Sequence, residues 1–332
     1  MLAIVCPGQG SQTPGFLAPW LELDSVAEHL ATLSETAQID LKAHGTTSDE
    51  ETIKDTAVAQ PLIVAAGLIT AQALFDVDIT TLPVVLAGHS VGEITASALA
   101  GVLTQSEAMT FVRERANNMA TAAAVTPTGM TAVVGGDPAE VLAAIEASGA
   151  TAANVNGAGQ TVAAGTFEQL KYLAENPPAK ARVIPLKVAG AFHTSHMQPA
   201  VAALEALRPS LQPKNPGVKL LSNFDGQEVT DGNAAVASLI AQVSRPVRWD
   251  LCMQTLTNLG VTGVIELAPA GTLAGLAKRG MPGVPTVAVK TPDDLEKALA
   301  LFASDPSAAS TAGSGHHSTA SDSPVSTEGA SA

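Results

Sequence analysis

Short apolar runs alternate along this chain with glycine-rich loops and alanine-rich stretches. Residues 83–87 are apolar and of strand character, and a charge-poor, alanine-rich stretch follows the segment GHSVG at 88–92. A strand that is replaced within five residues by a helical pattern predicts a strand, a sharp turn and a helix. Ser90 then lies at the apex of the turn.

The segment from Gly88 to Gly92 has the form GxSxG. Between a strand and a helix this form is typical of a nucleophile elbow, in which the glycines let the two elements approach and the tight backbone exposes the serine hydroxyl. GxSxG also occurs by chance, so the flanking elements carry the interpretation. We predict a reactive Ser90 rather than an ordinary turn serine.

A second glycine-rich loop follows the apolar run at residues 2–6 and reads PGQGSQ at 7–12. It has neither GxGxxG nor a following GK[ST], so the pattern does not favour phosphate binding. Elbow-type sites take a second oxyanion donor from a loop after another strand. We therefore expect this loop to supply one backbone N–H.

A capped helix is predicted over residues 104–124, and one of its arginines falls on its apolar stripe. The stripe contains Ala108, Val112, Arg115 and Met119. A buried guanidinium requires an anionic partner, because an unpaired buried charge is costly. That partner is either a fixed carboxylate of the protein or the carboxylate of a substrate, and the stripe favours neither.

The pattern between residues 126 and 187 predicts a small inserted domain. Strand, helix, two strands, helix and strand follow one another there, which is the ferredoxin-like order βαββαβ. The expected division is a core formed by 1–125 and 188–302 around this insertion. Further core strands are predicted at 220–224 and 261–267.

The later part of the core contains further predicted elements. A helix is expected at 246–259, with Pro246 in its first turn. A last strand is expected at 284–289 and a last helix at 292–302.

Two histidines stand close together directly after the predicted insertion, His193 and His196. No HExxH motif and no nearby carboxylate supports a metal site there. One of the two as base for Ser90 is the stronger hypothesis. His89 is excluded from that role because neighbouring side chains at an elbow diverge.

Composition indicates a globular chain: 332 residues are 46% hydrophobic and 14% charged, enough for one large core or two modest ones. Cys6 and Cys252 lie far apart, so neither a disulfide scaffold nor a zinc site is suggested. No basic residue precedes Lys42, which argues against a signal or transit peptide. These features fit a reducing cytoplasm.

The formal net charge of −14 is unevenly distributed. Residues 22–55 contain nine acidic residues and two lysines, whereas 171–219 contain seven basic residues and two acids. The overall charge argues against nucleic acid as a partner. The basic segment is either a face for an acidic partner or a solvated surface of mixed charge.

Two further stretches require interpretation. Residues 56–75 carry no charge, but Gln60, Pro61 and other interruptions favour a buried core helix beginning near Pro61 over a membrane span. Residues 303–332 are rich in Ser, Ala, Gly, Thr and Pro, which predicts a disordered tail. His316 and His317 within it are assigned no chemistry.

Six motifs occur in one order along the chain: PGQGSQ at 7–12, DTAVAQP at 55–61, GHSVGE at 88–93, RERANNM at 113–119, GAFH at 190–193 and PVRW at 246–249. With them the chain resembles the malonyl-CoA:acyl carrier protein transacylases over about residues 1–300. The resemblance implies an α/β-hydrolase-like core with a parallel sheet and a ferredoxin-like insertion.

The resemblance also implies catalytic roles. Ser90 corresponds to the nucleophile, His193 to the base and Arg115 to the clamp for the malonyl carboxylate, while the backbone amides of Gln9 and Val91 correspond to the oxyanion hole. No Asp stands in a matching triad position, so a Ser-His dyad oriented by a backbone carbonyl is expected.

Three more positions match the family's pocket: Gln60, Phe192 and Arg248. Phe192 resembles the aromatic found where related acyltransferases accept malonyl and exclude methylmalonyl groups. Arg248 stands where many relatives have Gln, and its main-chain carbonyl is expected to hold His193. The turn ELAPAG at 266–271 replaces a more glycine-rich form.

The implied activity is transfer of malonyl from malonyl-CoA to the phosphopantetheine thiol of acyl carrier protein, in the cytoplasm, by a monomer without metal or resident cofactor. One rival is an esterase or thioesterase, against which Arg115 argues because a buried cation selects a charged acyl group. Others are a non-catalytic docking protein and an acyltransferase for polyketide assembly.

Overall fold

The computed structural model describes residues 1–75 and 77–307, which form two five-stranded sheets and the helices around them. The strands are β1 (Leu2–Cys6), β2 (Val84–Gly88), β3 (Thr128–Gly135), β4 (Thr151–Gly157), β5 (Gln160–Thr166), β6 (Ala181–Pro185), β7 (Lys219–Leu221), β8 (Val247–Arg248), β9 (Gly263–Glu266) and β10 (Thr286–Ala288). The helices are α1 (Asp24–Ala37), α2 (Leu41–Thr46), α3 (Glu50–Lys54), α4 (Thr56–Leu74), α5 (Gly92–Leu99), α6 (Gln105–Val125), α7 (Pro138–Ala147), α8 (Phe167–Glu175), α9 (Gln198–Leu207), α10 (Gly232–Gln242), α11 (Trp249–Asn258), α12 (Thr272–Gly280) and α13 (Leu295–Ala303).

The first sheet has the order β10-β9-β1-β2-β7, and all of its pairs are parallel. Every residue of β1 and β2 is buried, as expected where helices cover both faces of a parallel sheet. Cys6 pairs with Gly88, so the loops that follow β1 and β2 leave the sheet side by side. The predicted α/β class with a parallel sheet is confirmed.

The second sheet has the order β6-β3-β5-β4-β8. Its first four strands pair antiparallel in the order expected of a ferredoxin-like βαββαβ unit, which confirms that prediction. β8 joins this sheet from the core part of the chain, parallel to β4. The helix predicted at 246–259 therefore begins later, at Trp249, because Val247 and Arg248 pair with Asn154 and Val155 instead.

Helix α4 begins one turn earlier than predicted, at Thr56 rather than near Pro61. The Asp55 side chain accepts a hydrogen bond from the Ala57 amide at 2.8 Å and so caps the helix, leaving Pro61 inside it. By length and composition α4 is apolar enough to cross a membrane, but 78% of its most apolar window is buried inside the protein. It packs mainly against α5 and α6.

The disordered tail was predicted to start at residue 303, but residues 303–307 contain helical and buried positions. Helix α13 includes Ala303, and the Asp305 side chain is buried, where it accepts hydrogen bonds from the Met1 amino group at 2.7 Å and from the Thr262 hydroxyl. The folded core therefore includes at least Ala303 and Asp305, beyond the predicted boundary. The remaining tail, with His316 and His317, lies outside the described residues.

The ELAPAG turn has a definite structural role. Glu266, at the end of β9, is buried, and its carboxylate accepts hydrogen bonds from the backbone amides of Gly271, Leu273 and Ala274 at 2.7 to 3.0 Å. Three amides at a helix start have no partner within the helix, so this carboxylate caps α12.

Candidate active site

Ser90 lies on the sharp turn between β2 and α5. Its φ is +53°, a left-handed conformation that non-glycine residues rarely adopt. A Cβ at Gly88 would lie 2.1 Å from the Gly92 carbonyl, and one at Gly92 would lie 2.2 Å from the Cys6 oxygen. Only glycines allow this close approach of strand, helix and the neighbouring β1, as the GxSxG pattern predicts.

The Ser90 hydroxyl contacts a histidine 103 residues further along the chain. The distance from Ser90 Oγ to His193 Nε2 is 2.7 Å, and His193 Nδ1 lies 2.8 Å from the main-chain oxygen of Gln242. A carbonyl oxygen can only accept, so Nδ1 carries the proton and Nε2 presents its lone pair to the hydroxyl. The structure thus brings together a serine and a histidine oriented by a backbone carbonyl.

The electrostatic surroundings keep the His193 imidazole neutral. Burial, followed by the positive charge of Arg115, lowers its pKa from 6.5 to about 3. The ring is therefore unprotonated near neutral pH. In that form it can accept a proton from Ser90.

Arg115 is 1% exposed and projects from α6 into the same site. Its guanidinium donates to Gln60 Oε1 at 2.6 Å, to Gln242 Oε1 at 3.0 Å and to Ser90 Oγ at 3.3 Å. Within residues 1–75 and 77–307, no carboxylate forms an ion pair with it, and its Nε has no partner. The sequence left two anionic partners possible for Arg115, a fixed carboxylate of the protein or the carboxylate of a substrate. Among the described residues, no fixed carboxylate is in direct contact with the guanidinium.

The nearest compensating charge is Glu93, which reaches Arg115 through Gln242. Gln242 Nε2 donates to Glu93 Oε2 while its Oε1 accepts from the guanidinium. Burial raises the pKa of Glu93 to about 7, and burial lowers that of Arg115 to about 9 against the opposing effect of Glu93. Both shifts follow from the removal of charged groups from water.

The prediction that the main-chain carbonyl of Arg248 holds His193 is wrong. The carbonyl belongs to Gln242, the last residue of α10, and helix ends leave such carbonyls without partners inside the helix. The Arg248 side chain instead makes a bidentate pair with Asp250 at 2.9 and 2.8 Å, outside the cavity at Ser90. That pairing raises the pKa of Arg248.

The loop after β1 lies against the elbow. A Cβ at Gly8 would be 2.8 Å from the His89 carbonyl oxygen, so the next residue, Gln9, is near the turn. In the part of the chain that the structure describes, neither the Gln9 nor the Val91 amide donates a hydrogen bond. Two free amides beside a nucleophile can donate hydrogen bonds to an oxyanion.

A cavity of about 90 Å³ opens at Ser90 between the two sheets. Met130, Asn154 and Val162 line it from the small domain, and Phe192, 6% exposed, lines it from the core. Its full lining is Gln9, Gln60, His89, Ser90, Met119, Met130, Asn154, Val162, Leu186, Val188, Phe192 and His193. All the predicted site side chains except Arg248 thus lie in or beside this cavity.

Sequence reasoning did not identify three buried residues of this site: Gln242, Glu93 and Asn223. Glu93 has a local signal, since it is a carboxylate in the first turn of an otherwise uncharged helix. Asn223 lies near the end of the strand predicted at 220–224, but β7 ends at Leu221, so Asn223 follows the strand. Gln242 has no signal of its own.

No group of three His, Cys, Asp or Glu side chains in the described ranges could hold a metal ion. His196 lies in the short 3₁₀ turn Ser195–Met197, and its backbone amide donates a hydrogen bond to Thr194 Oγ1 at 3.2 Å. His89 instead contacts Asn156, with 2.8 Å between Nε2 and Oδ1. Of these histidines only His193 contacts Ser90 among the described residues.

Comparison with known proteins places this geometry in a family. The family model described as the acyl transferase domain matches residues 3–299. The malonyl CoA-acyl carrier protein transacylase of Mycobacterium tuberculosis is 50% identical over 298 residues, which cover 90% of this chain and 99% of the relative. That of Bacillus subtilis is 32% identical over 308 residues, covering 90% and 96%.

Solved structures agree with these matches. The crystal structure of MCAT from Mycobacterium tuberculosis has a TM-score of 0.86 at 50% identity, covering 90% of this chain and 99% of that one. The fold and the six motifs lie within the matched residues. The chain therefore belongs to the acyl transferase domain family, among the malonyl-CoA:acyl carrier protein transacylases.

Proposed function

We propose that this protein transfers the malonyl group of malonyl-CoA to the phosphopantetheine thiol of acyl carrier protein, for fatty-acid synthesis, through a malonyl ester on Ser90. The observation that carries the proposal is the buried guanidinium of Arg115, 3.3 Å from Ser90 Oγ and without a carboxylate in contact. A planar cation fixed beside a nucleophile fits an acyl group that ends in a carboxylate.

In the first half-reaction, Ser90 Oγ attacks the thioester carbonyl carbon and His193 Nε2 takes the hydroxyl proton. The negative charge that develops on the carbonyl oxygen is stabilised by the amides of Gln9 and Val91, a contribution of about 3 kcal/mol for each such donor. The carbon–sulfur bond then breaks. His193 returns the proton to the leaving sulfur, and CoA departs as the thiol.

The second half-reaction reverses these roles. The carrier thiol gives its proton to His193 and attacks the malonyl ester, and the Ser90 oxygen leaves and regains that proton. Both steps balance without a metal or a redox group. The acid and the base are one imidazole, which the Gln242 carbonyl keeps in the required tautomer.

Substrate binding also strengthens the base. Burial and the positive charge of Arg115 lower the pKa of His193. A malonyl carboxylate that pairs with Arg115 cancels much of that charge, so the imidazole becomes more basic when the acyl group is in place. An acetyl group has no carboxylate to pair with Arg115, so it leaves the pKa of His193 low.

A Ser-His esterase is a poorer candidate, because relatives that share half of the residues are named transacylases. A malonyl-transacylase solved in complex with a type II PKS acyl-carrier protein has a TM-score of 0.82 at 28% identity. That complex supports a carrier protein as the acceptor. We further infer that the enzyme acts as a cytoplasmic monomer.

The test is intact-mass measurement after mixing with malonyl-CoA, with and without acyl carrier protein. Wild type should gain one malonyl group and lose it to the carrier, whereas Ser90→Ala should gain none. The control is Ser106→Ala, changed at an exposed serine of α6, which should behave as wild type. An adduct that persists on Ser90→Ala contradicts the assignment of the nucleophile. An adduct that water removes as fast as the carrier does indicates a hydrolase.

A further inference from the structure

The side chain of Asn223 spans the nucleophile elbow from one side to the other. Its Nδ2 donates to the main-chain oxygen of Gly88 at 2.5 Å, and its Oδ1 accepts from the main-chain amide of Ser90 at 2.7 Å. Asn223 is 1% exposed, so water does not compete for these bonds. A backbone amide can only donate and a carbonyl only accept, so the orientation of the carboxamide is fixed.

These bonds replace strand pairing at the point where it stops. β2 and β7 pair in register up to Ala87 and Leu221. Beyond that point the elbow turns out of the sheet, and the backbone of β7 no longer follows it. The Asn223 carboxamide has a donor and an acceptor, as a peptide group has. It offers them to the Gly88 carbonyl and the Ser90 amide, which a further residue of a paired strand would otherwise bond.

The backbone of Asn223 is itself held on both sides. Its amide donates to Glu93 Oε1 at 3.2 Å, and its carbonyl accepts from the Arg248 amide at 2.8 Å. These partners belong to α5 and β8, so the clamp is tied to the helix behind the elbow and to the small sheet. The carboxamide has little freedom to move.

We propose that Asn223 is a positioning residue for the acyl transfer, which holds Ser90 in its strained conformation. The φ of +53° costs free energy that the turn must recover from outside contacts. With the Ser90 amide and the Gly88 carbonyl fixed, Oγ stays 2.7 Å from His193 Nε2. The inference rests on the proposed role of Ser90 as nucleophile.

The test compares Asn223→Ala and Asn223→Asp with wild type in single-turnover acylation by malonyl-CoA. A displacement of Oγ by about 1 Å can lower a rate about 100-fold, so we expect a fall of that order in the acylation rate constant. The half-saturating malonyl-CoA concentration should change less than about threefold, because Arg115 is untouched. The matched control is Asn215→Ala, which removes another side-chain bond to backbone, from Gly232, away from Ser90; it should acylate as wild type does.

The pH dependence of Asn223→Asp separates positioning from mere stability. An ionised Asp keeps an acceptor for the Ser90 amide but has no donor for Gly88, whereas a protonated Asp has both. Burial and the neighbouring Glu93 carboxylate raise the pKa of such a carboxyl above its usual value. The ratio of its rate to that of wild type should therefore rise as pH falls from 8 towards 6, at a temperature where both are folded. A flat ratio contradicts the clamp.

A second reagent separates this inference from the proposed function. Phenylmethylsulfonyl fluoride forms a sulfonyl ester with a serine oxygen, with fluoride leaving and the proton passing to the base, and it needs no malonyl recognition. If wild type takes no malonyl group but reacts with this reagent, the proposed function fails, and slower sulfonylation of both Asn223 variants still supports the clamp. If Asn223→Ala reacts with both reagents at the wild-type rate, Asn223 does not position Ser90.

Discussion

Arg115 is a buried cation whose hydrogen bonds all go to uncharged oxygen atoms. Gln60 and Gln242 hold the guanidinium in place without cancelling its charge. The compensating carboxylate, Glu93, is one side chain further away. The guanidinium therefore keeps a positive charge that the carboxylate of an acyl group can neutralise.

Replacing Arg115 should change acyl choice more than fold. Charge-assisted hydrogen bonds contribute about 1.5 to 3 kcal/mol, and an acetyl group leaves the guanidinium unpaired, so wild type should prefer malonyl over acetyl about 100-fold or more in kcat/KM. Arg115→Ala should lose most of this preference, and Arg115→Lys, a point charge, should restore little of it. Competition between malonyl-CoA and acetyl-CoA measures the ratio. An unchanged ratio in Arg115→Ala means that the arginine is structural.

Phe192 should restrict the space beside the acyl group. Its ring lines the cavity at Ser90 and is 6% exposed, so an α-methyl group on the substrate would compete with it for volume. Phe192→Ser should gain methylmalonyl transfer, measured by competition of methylmalonyl-CoA against malonyl-CoA. Phe167→Ser, at an exposed ring on α8, is the control and should not gain it. No gain in Phe192→Ser removes the ring as the gate.

Glu93 should make stability depend on pH. Its pKa is raised by burial from 4.5 to about 7, so the folded state binds more protons than the unfolded state between those values. The stabilising effect of that proton is complete below about pH 4.5 and is lost as pH rises through 7, a change on the order of 3 kcal/mol.

Urea unfolding of wild type and Glu93→Gln between pH 5 and 8 measures this effect. The wild-type free energy of unfolding should fall relative to that of the variant as pH rises. Glu146→Gln, at an exposed position of α7, should follow wild type. Parallel curves for wild type and Glu93→Gln contradict the raised pKa.

Among the helices, α6 carries Arg115 about three turns after its capped N-terminus. Thr104 and Glu107 form a capping box, in which the Glu107 amide donates to Thr104 Oγ1 at 3.1 Å and the Thr104 amide donates to Glu107 Oε2 at 2.9 Å. Beyond this start the helix is held by buried contacts of its apolar stripe. The cap and the active site should therefore be energetically separate.

Thr104→Ala should lower stability without changing catalysis. Loss of an N-cap costs about 1 kcal/mol, which thermal or urea unfolding resolves. Ser106→Ala, at an exposed position in the first turn of α6, removes no capping bond and should be neutral. Malonyl transfer at a temperature below both transitions should be equal in the three proteins. A fall in kcat for Thr104→Ala shows that the cap is coupled to Arg115.

At the scale of the whole molecule, the site depends on both sheets. The cavity is lined from the core and from the small domain, and β8 ties the two together by pairing with β4. The end of the described chain closes the opposite side of the core, where Asp305 meets Met1 and Thr262.

Truncation should distinguish the two parts of the predicted tail. Removal of 308–332, a segment with few large apolar residues, should leave the thermal midpoint and transfer activity unchanged. Removal of 304–332 also deletes the buried Asp305 and its ion pair with the Met1 amino group, and should lower the midpoint by several degrees. Equal midpoints for the two truncations mean that Asp305 contributes nothing. A lower midpoint in the shorter deletion means that the tail docks on the core.

Features that depend on neighbours in the chain could be predicted from the amino-acid sequence. GxSxG between a strand and an apolar helix predicts the elbow, because close packing there requires glycine at Gly88 and Gly92. The βαββαβ order predicts the small sheet, and the apolar stripe of α6 predicts that Arg115 is buried. Each of these follows from local backbone geometry or from periodicity.

Contacts between residues far apart in the chain could be read only from the folded structure. The Gln242 carbonyl contacts His193 although the two residues are 49 positions apart in the chain. The Asn223 side chain contacts the Ser90 amide across a separation of 133 positions. A main-chain carbonyl at a helix end carries no side-chain signature, and the family resemblance led us to expect this role of Arg248 instead. Whether Arg115 had a fixed counter-ion was likewise open, because a stripe shows which side of a helix is buried and not which atoms it meets there.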